Sequence, residues 1–402
     1  MRLRVRCICL LLALFLLAPA PASAAEEEEA FDPELWESVE ALASPEDVAA
    51  RVGAAVLIER ETGTCLFEHE AHARLAPASV TKIMTMLLVC EAMDEGLLTE
   101  ETEIVCSARA AGMGGSQIFL KEGERMSAGD LLKSVAVASA NDAAVALAEA
   151  VSGSEGAFTA RMNERAAELG MADTCFSNCT GLPAEGEHLT SAWDVALMSR
   201  ALLGHERIRA YTAIWTDSVR DGAFGLSSTN KLVRFYEGCT GLKTGYTREA
   251  MYCVSASARR DGTEYIAVVL HAESSAERFE AAKLLLDYAF AGWQLADALP
   301  DGPLPPVAVD LGREKYLQPV LGSETRLLLK KSEAAGLRRE LDLPEAVAAP
   351  VAAGQALGSL RLLDASGREL AVVPVVAPAA VPRLGWGGAF LLCLRLLFTG
   401  RP

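Results

Sequence analysis

Hydrophobic positions recur along the chain with two periods, and the two alternate in blocks. Residues 54–70, AAVLIERETGTCLFEHE, alternate apolar and polar positions around Thr62 and Gly63, which predicts a β-hairpin. From about Val80 to Met93, the spacing of Ile83, Met84, Leu87, Leu88 and Met93 predicts a buried helix that Gly96 ends. A largely helical middle follows, including DLLKSVAVASANDAAVALAEAV (130–151) and RMNERAAELGM (161–171). The strand pattern then returns in GLKTG (241–245), in MYCVSASA (251–258), and in EYIAVVLH (264–271) after the turn Arg260-Asp261-Gly262. A helix over Ser275 to Phe290 closes the block. Strands at both ends of a helical middle imply an α+β domain whose antiparallel sheet is assembled from both ends of the segment.

The Pro-rich stretch ALPDGPLPP (298–306) marks a domain boundary. Beyond it, short runs such as TRLLLKK and ELAVVPVVA, punctuated by Gly and Pro, predict a small β-rich domain over 300–376. Residues 377–402 form a linker and an apolar tail, RLGWGGAFLLCLRLLFTGRP, interrupted by Arg395 and short for a membrane span of about 20 residues. An amphipathic helix at a membrane surface, with Trp386 and Phe390 toward the lipid, fits the tail better. At the other end, Arg2, Arg4 and Arg6 precede an apolar run to Ala18 and the small-residue site Ala22-Ser23-Ala24. This is the pattern of a secretory signal peptide over 1–24, so residues 25–297 form the first mature domain, outside the cytoplasm.

A formal net charge of -17 argues against nucleic acid as a partner, since a basic face would be needed to displace counterions from phosphates. Of ten cysteines, Cys7 and Cys9 fall in the signal and Cys393 in the tail. The remaining Cys65, Cys90, Cys106, Cys175, Cys179, Cys239 and Cys253 are odd in number and widely spread, unlike a disulfide scaffold. Cys175 and Cys179 lack a second ligand pair, so no zinc site is expected and the thiols read as buried apolar groups.

The charged residue that the hydrophobic pattern does not explain is Lys82, three positions after Ser79 at the mouth of the first buried helix. A serine needs a base to act as a nucleophile, and the chain has only five histidines, with no Gly-x-Ser-x-Gly elbow and no His-Glu-x-x-His. Where Ser79 opens the helix, Lys82 projects from the same face, within reach of a proton transfer. To be neutral near pH 7 a lysine must lose affinity for its proton from a reference pKa of about 10.4, at a cost of roughly 4 kcal/mol. Burial and a second nearby cation are the two effects that supply it.

Ser-x-x-Lys occurs again at 228–231, STNK, where the serine precedes no long apolar helix and is expected to be an idle turn in a polar loop. Two further features favour Ser79. The SAN of residues 139–141 lies in an apolar helical stretch where Ser139 and Asn141 would each cost about 1–3 kcal/mol to bury unpaired. The KTG of 243–245 is expected to open an edge strand, to supply Lys243 as the second cation, and to admit a substrate backbone at Gly245.

In this order within one exported domain, Ser-x-x-Lys, Ser-x-Asn and Lys-Thr-Gly resemble the serine D-alanyl-D-alanine carboxypeptidases, the low-molecular-weight penicillin-binding proteins of peptidase family S11. The resemblance runs from about Val52 to Val376 and includes RLAPASVTKIMT, GSQIFLKEGERMSAGDLL, SANDAAVALAE, MNERAAELGM, LKTGYT and ERFEAAKLLL. It implies a β-lactamase/transpeptidase-like domain, with an antiparallel sheet flanked by helices and a helical subdomain. A small β-rich domain and a C-terminal amphipathic membrane anchor would follow. It further implies Ser79 as the acylated nucleophile and Lys82 as its base, with Ser139 and Lys243 relaying the proton to the leaving D-alanine. Asn141 would position Lys82 and the substrate amide, and the N–H groups of Ser79 and Tyr246 would form the oxyanion hole. Lys243, Thr244, Gly245, Tyr246 and Arg278 would line the substrate, with Thr244 and Arg278 on its terminal carboxylate. The implied substrates are peptidoglycan stem peptides ending in D-Ala-D-Ala, the inhibitors β-lactams, and no metal or organic cofactor is called for. Two departures stand out: Ala140 and Met251 occupy positions where relatives often have glycine.

A class A β-lactamase would add a deacylating Glu-x-x-Leu-Asn segment, which the chain lacks, and would not need residues 300–402. A transpeptidase would carry a large N-terminal domain. A non-catalytic penicillin-sensing or wall-binding module would not require Ser79, Lys82, Ser139 and Lys243 together.

Overall fold

The computed structural model describes residues 44–183, 185–299, 302–322 and 326–399, so the signal peptide expected over 1–24 lies outside the described residues. Two compact units divide the chain. The first holds the residues up to Ile58, Cys65–Arg259 and Tyr265–Leu286; the second holds Glu59–Thr64, Arg260–Glu264 and the chain from Asp287 onward.

In the first unit, β1 (Val52–Glu59) and β2 (Cys65–His69) form the expected hairpin. Helix α1 (Lys82–Asp94) follows the 3-10 turn Ala78–Thr81, and eleven of its residues, from Lys82 to Met93, are buried. A helix apolar on every face belongs at the centre of a domain. Strands β3 (Glu103–Val105) and β4 (Arg125–Ser127) pair ahead of α2 (Ala128–Ala138), whose N-cap Ser127 accepts the Asp130 N–H. The longer helices α3 (Asn141–Ser152), α4 (Glu155–Glu168) and α5 (Ala192–Leu202) follow. Here the structure corrects the reading of 130–151 as one helical stretch. Ser139 turns left-handed at φ 60°, ends α2, and leaves Ala140 to cap α3.

The hairpin β5 (Thr216–Val219) and β6 (Phe224–Ser227) precedes β7 (Cys239–Thr247), β8 (Met251–Arg260) and β9 (Thr263–Ala272), and α6 (Ser275–Gly292) follows. The main sheet has the order β2-β1-β9-β8-β7, so its two ends come from the two ends of the segment and KTG lies on an edge strand. β7 begins four residues earlier than the KTG motif and pairs antiparallel with β8, Lys243 opposite Ser255 and Gly245 opposite Cys253. Asp261 and Gly262, both at positive φ, make the tight β8–β9 turn that an Asp-Gly pair favours. Strand β9 is buried along almost its whole length, which is why EYIAVVLH reads as a continuous apolar run.

The second unit is β-rich. It contains a four-stranded sheet, a three-stranded sheet and a two-stranded ribbon, with small apolar cores around Val307, Val351 and Val381 and around Leu360, Leu362 and Val375. Its strands run to Val376, and helix α7 (Trp386–Thr399) lies in the C-terminal tail. No helix among the described residues is long and apolar enough to cross a membrane. Cys65, Cys90, Cys106, Cys175, Cys179, Cys239 and Cys253 are unpaired thiols.

Candidate active site

Ala78, at φ 46°, turns the chain so that Ser79 enters the 3-10 turn half-buried, one turn before α1. Lys82, the first residue of α1, is fully buried, and its Nζ donates to Ser79 Oγ at 2.8 Å and to the Thr180 carbonyl oxygen at 2.8 Å. Burial first, and then the charge of Lys243, hold the Lys82 ammonium well below the usual lysine range, while Cys179 and Asp142 oppose the shift. Lys243 on β7 is also buried, and its Nζ donates to the Thr244 carbonyl at 2.9 Å. A lysine whose charged form is disfavoured and whose Nζ touches a serine hydroxyl is the arrangement that a lysine base requires.

Two glycines hold the Ser79 turn. A Cβ on Gly245 would meet the Pro77 carbonyl at 2.8 Å and the Ser79 nitrogen at 3.1 Å, so β7 packs directly on the serine backbone. A Cβ on Gly181, at φ 81°, would lie 1.8 Å from the Ala78 carbonyl oxygen. The Gly181 turn is set by Asn178, whose Oδ1 accepts the N–H of Thr180 at 3.0 Å and of Gly181 at 2.7 Å. That turn aims the Thr180 carbonyl at Lys82. Behind it, Cys179 donates its N–H to Glu155 Oε1 at 3.4 Å, and Glu155 Oε2 pairs with Arg109. His188 Nδ1 accepts the Ser177 N–H at 3.0 Å, which makes Nε2 the protonated nitrogen facing Thr81 Oγ1 at 2.7 Å. Burial and the nearby Lys82 push the His188 pKa down to about 4, so the ring is neutral.

Ser139 is buried at its left-handed turn. Asn141 donates Nδ2 to the Gly114 carbonyl at 2.8 Å, and its N–H goes to the Ser116 carbonyl at 2.7 Å. Its Oδ1 is buried without a hydrogen-bond partner, leaving an acceptor for an incoming donor. Asp142, next in sequence, is buried and takes the N–H groups of Ile118 and Leu120, fixing the same loop.

Thr244 Oγ1 donates to Thr229 Oγ1 at 2.7 Å, which brings the second Ser-x-x-Lys segment against β7. Ser228 forms the turn expected of it, accepting the Asn230 N–H at 3.2 Å, but it is buried and not in an exposed polar loop. Tyr246 follows on β7, its ring 4.4 Å from that of Tyr252. Arg278, from α6, differs from its expected place on a substrate carboxylate. Its guanidinium is buried and donates to the carbonyls of Gly245 at 3.1 Å and Cys253 at 3.3 Å, bracing β7 and β8 from within. Met251, at φ 53°, carries the backbone strain that a glycine there would relieve. Among the described residues, no three His, Cys, Asp or Glu side chains converge as a metal site.

A cavity of about 270 Å³ opens beside the Ser79 turn, lined by Pro77, Ala78, Gly181, Leu182, His188 and Thr247. Sequence reasoning missed Asn178, Gly181, Glu155, His188 and Thr229. The Asn-x-Thr-Gly run at 178–181 was a readable turn signal, since Asn side chains bond their own following backbone.

The sequence profile of the D-alanyl-D-alanine carboxypeptidase family matches residues 39–274. The chain belongs to this family. A second profile, for the C-terminal domain of penicillin-binding protein 5, matches residues 303–383. Among its relatives, the chain is 41% identical to the D-alanyl-D-alanine carboxypeptidase DacF of Bacillus subtilis over 345 residues, covering 85% of this chain and 88% of that one. Penicillin-binding protein 6B of Escherichia coli superposes with a TM-score of 0.66 at 29% identity, covering 81% of this chain and 95% of that chain. Penicillin-binding protein D2 of Listeria monocytogenes, solved in an ampicillin-bound form, gives a TM-score of 0.53 at 32% identity over 60% of this chain and 97% of that chain. The family fold agrees with the expected α+β domain followed by a β-rich one.

Proposed function

We propose that this family member releases the terminal D-alanine from peptidoglycan stem peptides ending in D-Ala-D-Ala, through an acyl-enzyme on Ser79, and that penicillins acylate the same oxygen. The observation that carries the reading is the 2.8 Å contact between Lys82 Nζ and Ser79 Oγ, made by a lysine that burial and Lys243 keep short of its proton.

Neutral Lys82 takes the Ser79 proton as Oγ bonds to the carbonyl carbon of the penultimate D-alanine. The N–H groups of Ser79 and Tyr246 meet the charge that develops on the carbonyl oxygen. As the C–N bond breaks, Ser139 and Lys243 relay that proton from Lys82 to the departing nitrogen, which leaves Lys82 neutral again and an ester on Ser79. Water adds to that ester, giving its proton to Lys82. The ester C–O bond breaks, Ser79 recovers its proton, and the shortened peptide leaves. With Nδ2 held by Gly114, Asn141 offers Oδ1 to the substrate amide N–H. Thr244 meets the terminal carboxylate, and Arg278 acts on it only indirectly, by fixing Gly245.

Export by the signal peptide 1–24 and attachment of α7 to the outer face of the cytoplasmic membrane complete the reading. They are supported by the sequence pattern at each end and by the exposed Trp386, Phe390, Leu397 and Phe398. Incubation with a D-Ala-D-Ala pentapeptide tests the activity: stoichiometric D-alanine is expected, whereas rapid penicillin hydrolysis without D-alanine release would identify a β-lactamase instead. Deleting residues 384–402 is expected to move the protein from the membrane to the soluble fraction; unchanged fractionation would refute the anchor.

A further inference from the structure

The loop that holds Asn141 continues into a feature the reaction does not use. Beyond Gly114 and Ser116, the N–H groups of Ile118 and Leu120 are bound by Asp142. From the other side, Arg220 at the β5–β6 turn donates Nη1 to the Ile118 carbonyl at 2.8 Å, Nη2 to the Phe119 carbonyl at 3.4 Å, and Nε to Glu124 at 2.7 Å. Clamped between these anchors, Phe119 adopts a left-handed backbone at φ 56°, and the residue is 65% exposed. Arg220 and Asp221 are left-handed as well, at φ 56° and φ 52°. A left-handed bulky residue is strained, and an exposed ring forgoes hydrophobic burial. Strain sustained by its surroundings in order to present a side chain is the mark of a functional element.

The Phe119 ring meets Phe224 edge-on, centroids 6.2 Å apart, and the Arg220 guanidinium lies 5.4 Å from the Phe224 centroid. Together with Lys121, Glu122 and Glu124, these residues line an open cavity of about 640 Å³. An aromatic surface edged by both signs of charge suits a neutral, hydroxyl-rich ligand with a C–H face. The carboxylates on its rim disfavour an anionic lipid surface.

We propose that this pocket binds the glycan portion of the substrate. An N-acetylated sugar ring would stack its C–H face on Phe119, and Lys121 and Glu122 would meet its hydroxyl and acetamido groups. The inference rests on the proposed activity in one respect, that the stem peptide is carried on glycan. The continuity of the loop supports it: its Gly114 and Ser116 carbonyls bind Asn141, so peptide and sugar would lie on two parts of one rigid segment.

The test compares kcat/KM for D-alanine release from a free pentapeptide with that from the same peptide on an N-acetylated disaccharide. Phe119→Gly is the informative variant, because glycine suits the left-handed backbone and the loop should keep its shape. The wild type is expected to prefer the glycan-linked substrate, and Phe119→Gly and Phe224→Ala to reduce that preference by about fivefold to tenfold. Phe119→Tyr should retain it. Independently of catalysis, saturation-transfer NMR with a peptide-free N-acetylated tetrasaccharide should show ring contacts in the wild type that Phe119→Gly loses. No preference in the wild type, or a preference and contacts that survive in Phe119→Gly, would overturn the proposal. So would Phe119-dependent sedimentation with phosphatidylglycerol vesicles in the absence of tetrasaccharide contacts. Failure to cleave the free pentapeptide, with tetrasaccharide contacts intact, would count against the proposed activity and leave the sugar site standing.

Discussion

Gly181 and Ala78 are in contact so close that a methyl group on the glycine would lie 1.8 Å from the alanine carbonyl oxygen. With Gly245 on the opposite side, the glycine fixes the peptide that leads into Ser79, although 102 residues separate Gly181 from that serine. Gly181→Ala is therefore expected to destabilise the domain by about 3 kcal/mol or more, from overlap and an unfavourable positive φ. Penicillin acylation should slow at least about 100-fold, because the nucleophile is displaced. Thermal melts and acylation kinetics check both; a variant with wild-type acylation would show that the turn is not clamped.

The pH dependence of acylation should report Lys82. Its amine acts only when neutral, so the rate rises with pH through its folded pKa, which burial and Lys243 hold well below 10.5. Lys243→Gln removes the repelling cation, so the acid limb of the residual activity should move to higher pH, alongside a loss of rate of about 100-fold. Asp142→Asn removes a charge that favours protonated Lys82, so its limb should move to lower pH. Stopped-flow acylation across pH distinguishes the two; shifts of the same sign would contradict this electrostatic account.

His188 contributes to stability with a definite sign. Its pKa is about 4 in the folded chain against an ordinary 6.5, so the unfolded chain binds the proton first as pH falls. Stability attributable to neutral His188 is complete above about pH 6.5 and is lost progressively down to about pH 4, by at most about 3 kcal/mol. Denaturant melts at a series of pH values should show this slope in the wild type and a flatter one in His188→Gln. An equal slope in both would remove His188 from the account.

Local features and the assembly of the sheet from both ends of the segment were readable in the sequence, whereas individual long-range side-chain contacts were not. Helix α1, the β8–β9 turn at Asp261-Gly262 and the edge strand carrying KTG follow from periodicity and turn chemistry within a few residues. Residues 130–151 contain no Gly or Pro to signal a break, so the left-handed Ser139 that separates α2 from α3 was invisible. Arg278 was identifiable as a cation near the substrate strand, but its direction depends on the carbonyls of β7 and β8, which only the folded sheet brings together. Likewise, the Thr180 carbonyl that orients Lys82 comes from 98 residues away, beyond any local pattern. STNK at 228–231 shows the converse: a matching motif identifies nothing until its surroundings are known.

Acylation of Ser79, paired with Lys82, is the event on which the proposed reaction depends. The most direct measurement is intact and peptide mass spectrometry after incubation with penicillin, for the wild type, Ser79→Ala and Ser228→Ala. A single acyl adduct on the peptide containing Ser79 is expected in the wild type and in Ser228→Ala, and none in Ser79→Ala. An adduct that persists in Ser79→Ala, or that maps to Ser228, would contradict the account.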